Sequence, residues 1–403
     1  MSRARPAYSP RVDPKRVAIF GSTGSIGISS LEVMASLSAR DPGWRVEALS
    51  AHGRIDDLVA QVQRFRPRTV VVTGPEPSPS DCARLTSTGS RLLLGPQGMA
   101  DVAGDTSGAG TVLAAVVGAA GLPAVLAAVG AGKRLALANK ESLVLAGSLV
   151  MPLAKTTGAE ILPVDSEHSA IYQAMLAGRR HEVRRVILTA SGGPFRTTPL
   201  ETMRRATAAQ ALDHPTWKMG GKITIDSATL FNKAFELIEA RWLFDLAPDE
   251  IDIVVHPQSI IHSMVEFVDG NVLAQLSPPD MKTPIQYTLT HPDRLDCPCR
   301  KMDWSSSFGL TFEPPDRAKF PSVGLAYDVV RADGAAGGTA GAFLNAANEV
   351  AVARFLAGGI PFSRITEVVQ SVMQRHEQHS APNLDDLLAA DARARTLAAE
   401  LLH

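Results

Sequence analysis

Cysteine, net charge and long hydrophobic runs are all scarce in this chain, and each shortage excludes something. Three cysteines, Cys82, Cys297 and Cys299, in 403 residues are too few for a disulfide scaffold and suit a reducing compartment. Cys297-Pro298-Cys299 offers half of a tetrahedral thiolate site, and no second thiol pair exists to close it. A net charge of −1, without long runs of one sign, removes the electrostatic footprint of a nucleic-acid or membrane-surface binder. The longest apolar stretches, such as residues 112–129, are rich in Ala and Gly and broken by Pro123, so no membrane span is expected. Residues 1–16 carry Arg3, Arg5 and Arg11 but no apolar core like that of a secretory signal. They are expected to be a disordered tail on a cytoplasmic protein.

What is present is ample core material. With 45% hydrophobic and 20% charged residues, a chain of this length should form two or three domains. Apolar runs at 17–20, 45–50, 69–72, 91–94, 111–117, 134–138 and 160–164 alternate with helical segments. Such alternation predicts a Rossmann-like, largely parallel sheet covered on both faces, over residues 17–165. A central α/β domain with an antiparallel or mixed sheet follows over 166–290, where Asp269-Gly270 marks a hairpin. Residues 291–322 read as a Pro- and Ser-rich linker or crossing strand, and 323–403 as a C-terminal helical bundle.

The first strand runs straight into Gly21-Ser22-Thr23-Gly24-Ser25-Ile26-Gly27 and then a helix. Glycines admit a pyrophosphate to the backbone, and a helix N-terminus offers free N–H groups and a positive dipole. The second strand ends in Ala51-His52-Gly53-Arg54, without the acid that an NAD-selective site would place there. Its basic His52 and Arg54 favour NADP through the 2′-phosphate.

Asp165-Ser166-Glu167 follows the run 161–164. In an extended backbone, Asp165 and Glu167 would project to one side, where two carboxylates call for a shared proton or a metal. Lys140, at the end of another strand, is expected near them. Ser191, beside Gly192 and Gly193, could grip an anion. The segment 214–221, with His214, Trp217 and Met219, has the punctuation of a mobile lid. In the run from Asp226 to Trp242, Phe231, Phe235, Ile238 and Trp242 make one helical face. Asn232, Lys233 and Glu236 make another, with Ser227 placed near a helix start that favours phosphate. The bland alternative for Lys233 and Glu236 is a surface ion pair. His256, His262 and His291 read as structural. Together these features suggest metal-assisted chemistry on a phosphorylated hydroxy-carbonyl compound, coupled to hydride transfer.

The chain also resembles the 1-deoxy-D-xylulose 5-phosphate reductoisomerase family of non-mevalonate isoprenoid biosynthesis, from Val17 nearly to the end. The resemblance rests on GSTGSIG (21–27), ALANKES (136–142), PVDSEHSAIYQ (163–173), TASGGPF (189–195), HPTWKMG (214–220), KITIDSATLFNKAFELIEARWLF (222–244), HPQSIIHSMVEF (256–267) and LNAANEVAV (344–352). It implies conversion of that sugar phosphate to 2-C-methyl-D-erythritol 4-phosphate, by retro-aldol and aldol steps followed by reduction with NADPH. Asp165, Glu167 and Glu236 would hold Mg²⁺ or Mn²⁺, with Co²⁺ as a further candidate. Lys140 and Glu167 would assist proton movement. Ser166, Ser191, His214, Trp217, Ser227, Asn232 and Lys233 would bind substrate. Gly21, Thr23, Gly24, Ser25, Ile26, Gly53, Arg54, Asn139, Lys140, Glu141, Met219, Gly220 and Met281 would contact the cofactor. A homodimer with three domains per subunit is implied, and neither nucleic acid nor membrane as partner. The run His52-Gly53-Arg54-Ile55 departs from the family, many of whose members have an Asn shortly after that glycine.

Two other readings compete. A metal-independent NADP-dependent semialdehyde or sugar dehydrogenase would commonly need a nucleophilic cysteine beside a histidine; Cys82 falls in a Pro/Ser loop, and Cys297 and Cys299 in the linker. A redox-sensing binding module would call for a DNA-binding helix pair or basic patch, and would leave the carboxylates unexplained.

Overall fold

The computed structural model describes residues 13–402. Most of the expected tail, Arg3, Arg5 and Arg11 included, lies outside the described residues. The chain then alternates strand and helix: β1 (Arg16–Phe20), α1 (Ser25–Arg40), β2 (Arg45–Ala51), α2 (Ile55–Phe65), β3 (Thr69–Val72), α3 (Pro79–Thr86), β4 (Arg91–Leu94), α4 (Pro96–Gly104), β5 (Thr111–Ala114), α5 (Leu122–Gly130), β6 (Arg134–Leu137), α6 (Glu141–Thr157) and β7 (Glu160–Pro163). All seven strands are parallel, in the order β4-β3-β2-β1-β5-β6-β7. Both faces are covered, so β1, β5 and β6 are nearly continuous apolar runs rather than alternating ones. The order reverses between β1 and β5, the switch point outside whose strand carboxyl ends such sheets bind ligands. The Pro/Ser loop expected around Cys82 is shorter than its composition suggests: Ser78 caps the Asp81 N–H at 3.2 Å and starts α3, which contains Cys82.

The second half continues with α7 (Ser166–Met175), β8 (Val183–Ala190), α8 (Leu200–Met203), α9 (Ala208–Leu212), α10 (Gly221–Ala228), α11 (Phe231–Phe244), β9 (Ile251–Val255), β10 (Ile261–Phe267), β11 (Val272–Leu276), α12 (Lys282–Thr290), α13 (Ser322–Asp333), α14 (Ala340–Leu356), α15 (Phe362–Met373) and α16 (Leu384–Glu400). Its sheet is mixed, in the order β11-β10-β8-β9. The β8/β9 pair is parallel and the other two pairs antiparallel. Gly270, at φ +86°, makes the β10–β11 turn as the Asp-Gly signal requires.

Packing divides the chain into two compact units. Among the described residues, the first comprises 13–139, 150–165 and 281–299; the second comprises 140–149, 166–280 and 300–402. Residues 281–299 join the first unit because Ile285 and Leu289 of α12 enter its core beside Val17, Ile19 and Leu113. Thr288 Oγ1 donates to the Pro163 carbonyl at 3.1 Å, and Arg134 to that of Leu289 at 3.0 Å. Within the second unit, α13 to α16 share one core with α11 and β8, through residues such as Phe235, Leu237, Val330, Phe343 and Val369. The expected linker contains no regular helix or strand over 291–321; an isolated antiparallel bridge ties Glu313 to Val255.

Candidate active site

The second unit gathers a dense charged cluster. Helix α11 buries Phe231, Phe235 and Ile238 completely or nearly so, which turns Asn232, Lys233 and Glu236 toward α7 and the start of α6. Lys140 Nζ donates to Asn232 Oδ1 at 2.7 Å and to Glu236 Oε1 at 3.1 Å. Lys233 Nζ reaches Glu167 Oε1 at 3.1 Å and also bonds Glu236 Oε2. Asn232 Nδ2 donates to Glu236 Oε1, and Ser166 Oγ to Glu167 Oε2, each at 2.5 Å. Lys140, Lys233 and Glu236 are all buried, so Lys233–Glu236 is not the surface pair weighed from sequence. Buried charges cost several kcal/mol each unless paired, and here every cation faces at least one carboxylate.

The route by which Asp165 and Glu167 meet differs from the extended-strand expectation. β7 ends at Pro163 and α7 begins at Ser166, so the two acids do not share an extended strand. Asp165 directly precedes the helix and Glu167 lies in its first turn. Carboxylate oxygens of Asp165, Glu167 and Glu236 nonetheless lie within 4.8 Å of one another. Three carboxylates against two ammonium groups leave one net negative charge, and hard oxygen donors suit Mg²⁺ or Mn²⁺.

Ser227 also sits differently. Leu230, in the left-handed region at φ +57°, separates α10 from α11, so Ser227 lies near the end of α10 rather than at the start of the Phe231 helix. Its carbonyl lies instead against Gly193, in the turn that follows Ser191. A Cβ on Gly193 (φ +66°) would stand 2.6 Å from the Ser227 carbonyl, so only glycine lets the turn after β8 approach α10 this closely. Ser191 Oγ lies 3.0 Å from His214 Nε2. His214 Nδ1 accepts the Thr216 and Trp217 N–H groups at 3.1 and 2.9 Å, which fixes the tautomer with the proton on Nε2. Burial pushes the His214 pKa below the ordinary imidazole value, consistent with a neutral ring. Trp217 is half-buried, its ring centroid 6.3 Å from that of His262. Residues 213–220, with Met219 and Gly220, form no helix or strand.

The glycine loop belongs to the first unit. Gly21 has φ +78°, and a Cβ there would lie 2.6 Å from the Ala115 carbonyl just after β5. The loop therefore lies against the turn after β5, at the strand-order reversal. At Gly27, a Cβ would meet the Gly21 carbonyl at 2.4 Å. Gly24 caps α1 without a side-chain bond, and no acid occupies the first turn, where Ser25 and Ile26 lie. That leaves the helix N-terminus open to a phosphate. Arg54 donates to the Thr23 carbonyl and so spans the tip of the loop, and Gly53 is exposed. Asn139 Nδ2 donates to the carbonyls of Val116 and Gly118 at 2.7 and 2.9 Å, bracing the turn after β5. Met281 packs on the first unit's core at the start of α12.

Two largely buried groupings join residues between which the sequence suggested no contact. His168 Nδ1 faces Glu239 Oε2 at 3.0 Å while its Nε2 faces the Glu236 carbonyl at 2.8 Å, joining α7 to α11. Lys222 lies 3.0 Å from Glu141 Oε1 and 2.7 Å from Asp226 Oδ2. Burial alone would raise the Glu141 pKa, but Lys222 and the backbone hold it below the usual carboxylate range. For Asp226, burial prevails over Lys222 and raises it.

Three family models match the chain: 1-deoxy-D-xylulose 5-phosphate reductoisomerase over residues 17–147, the C-terminal domain of that enzyme over 161–244, and the DXP reductoisomerase C-terminal domain over 276–397. A 1-deoxy-D-xylulose 5-phosphate reductoisomerase of Ruminiclostridium cellulolyticum is 49% identical, over 96% of this chain and 99% of its own. One of Rhodopirellula baltica is 46% identical, over 96% and 94%. Among solved structures, the Zymomonas mobilis enzyme in complex with NADPH superimposes with a TM-score of 0.87 at 41% identity, over 97% of this chain and 100% of its own. A DOX-P reductoisomerase in complex with NADPH, fosmidomycin and magnesium gives 0.89 at 40%, over 96% and 98%. With identity of this level along nearly its whole length, the chain belongs to the 1-deoxy-D-xylulose 5-phosphate reductoisomerase family.

Proposed function

We propose that the chain rearranges 1-deoxy-D-xylulose 5-phosphate and reduces the product with NADPH to 2-C-methyl-D-erythritol 4-phosphate, with a divalent metal. The observation that supports this most directly is the convergence of Asp165, Glu167 and Glu236 beside Lys140. Those three carboxylates would hold Mg²⁺ or Mn²⁺. When bound, the ion polarises neighbouring substrate oxygens as a Lewis acid. The open end of α1 and the glycine loop would take the phosphates of NADPH, which supplies the hydride.

The remaining work falls to the chain's own groups. Lys140, anchored on Asn232 and Glu236, would hold a proton on Nζ and stabilise charge developing on a substrate oxygen. Glu167, between Ser166 and Lys233, would accept and return a proton at its carboxylate. Ser191, Ser227, Asn232 and Lys233 would bind the substrate's polar backbone and phosphate. His214 would stay neutral and keep an Nε2–H donor. Trp217 and Met219, in the segment between α9 and α10, would close over the substrate and exclude water. By role, residues 17–165 would serve as the NADPH domain, 166–290 as the catalytic and dimerisation domain, and 323–403 as the helical domain.

A homodimer is supported by β11, an edge strand whose Val272, Leu273 and Leu276 are exposed together with Val268. Among the described residues no helix is long and apolar enough to cross a membrane, which supports placing the enzyme in the cytoplasm. The test is NADPH oxidation with 1-deoxy-D-xylulose 5-phosphate before chelation, after it, and with Mn²⁺ restored. Turnover that vanishes and returns is expected. Turnover indifferent to chelation would favour the metal-independent dehydrogenase, and no turnover at all would remove the activity.

A further inference from the structure

Lys222 is a largely buried cation, its side chain 18% exposed, that none of the roles above uses. Its Nζ sits 3.0 Å from Glu141 Oε1, 2.7 Å from Asp226 Oδ2 and 4.8 Å from the centroid of the Phe235 ring. Asp226 Oδ1 in turn accepts from Asn348 Nδ2 at 2.7 Å. Glu141, Asp226 and Asn348 are buried as well. The group joins three elements of the second unit: the first turn of α6, helix α10 and helix α14.

Their chain neighbours give the network its meaning. Glu141 follows Lys140 directly, and Lys140 reaches Asn232 and Glu236. Lys222 is the second residue of α10, which begins where the 213–220 segment ends. Ser227 follows Asp226 on the same helix, and Phe235 lies one residue before Glu236 on α11. A surface pair contributes little, but a buried one fixes geometry, because losing one partner strands a charge away from water.

We infer that Lys222 is a positioning residue: through Glu141 it sets the reach of Lys140, and through α10 it couples that reach to the 213–220 segment. This rests on the function proposed above for Lys140. Lys222 does not touch the reacting atoms. Its loss lets the first turn of α6 move, and misplacement by about 1 Å at a catalytic group costs up to about 100-fold in rate.

Three variants test this: K222M, K222R and E141Q, with the double variant E141Q/K222M. K222M is expected to lower kcat by about 10-fold to 100-fold with a much smaller change in the KM for substrate. K222R, which still reaches both carboxylates, should restore most of kcat. E141Q keeps an oxygen facing Lys222 and should fold; it is expected to lower kcat less, and E141Q/K222M to be no worse than K222M alone, since both act through one contact. Hydrogen exchange over 139–145, read with or without substrate, should accelerate in K222M and E141Q but not in K222R. A K222M protein that melts earlier yet keeps kcat within about twofold of wild type, with unchanged exchange over 139–145, would reduce the network to a structural one and overturn the inference. Should K222M not fold, unchanged exchange and kcat in E141Q would do the same. An inactive wild type would sink the proposed function instead, and the exchange comparison would still decide for or against Lys222.

Discussion

The glycine loop and the acid–lysine cluster are built in opposite ways. The loop is one stretch, residues 21–27, shaped by backbone freedom and by two close carbonyl approaches, of Ala115 to Gly21 and of Gly21 to Gly27. The cluster draws Lys140, Asp165 with Glu167, and Asn232 to Glu236 from three distant segments, and holds them by mutual charge. A contiguous site fails where it is cut. A cluster fails as a whole, since removing one member strands the others.

Breaking that contrast starts with Glu236, which accepts from Lys140, Asn232 and Lys233. Glu236→Gln should lower turnover by about 1,000-fold, the scale of a lost electrostatic stabiliser. It should also abolish magnesium binding seen by calorimetry. NADPH binding should survive, and its loss in this variant would mean that the two sites are not built separately.

The mirror experiment is Gly21→Ala. Left-handed backbone alone costs about 1–2 kcal/mol for a residue with a Cβ, before the clash with Ala115 is resolved. A lower melting temperature and weakened NADPH binding by fluorescence titration are expected. Magnesium affinity should hold; a parallel loss of it would contradict the loop's local character.

Smaller in effect is Arg54→Ala. If the guanidinium that bonds the Thr23 carbonyl also meets a 2′-phosphate, its removal costs one charge-assisted hydrogen bond. That would raise the KM for NADPH by about 10-fold and leave NADH use as it was. Equal losses with both nucleotides would assign Arg54 to loop support alone.

The smallest effect sharpens the comparison through stability. Lys133, in the first unit, is held by burial at a pKa of about 8, below its ordinary 10.5, with Asp105 opposing. Its Nζ donates to the Asp105 carbonyl at 2.7 Å. Between those two values the unfolded chain binds the extra proton, so the contribution of Lys133 to stability rises as pH climbs from 8 to 10.5. Lys133→Met should remove that rise from the difference between the two denaturation profiles and leave turnover at neutral pH unaltered.

Much of this was legible in the residues. The seven strands of the first sheet were each located by apolar runs, most cleanly β1, β5 and β6, because a strand buried on both faces is apolar nearly throughout. The glycine loop was readable for the same local reason, as was the Asp-Gly hairpin. Lys140, Glu167 and Glu236 could be named one by one, from strand ends, helical spacing and family motifs.

Their assembly belonged to the tertiary structure. Asp165 and Glu167 meet across a helix start rather than along a strand, because α7 begins at Ser166. Ser227 faces the Ser191 turn because one left-handed residue, Leu230, splits an apparently continuous helix in two. Lys222 drew no role from the sequence; α6 and α10 supply the two carboxylates that hold it, and α14 braces one of them. Local pattern determined which residues form strands, loops and helix faces, since backbone sterics and hydrophobic periodicity act over a few residues. Only packing decided which charges are buried together, since each is tolerated there by a partner that lies far away in the chain.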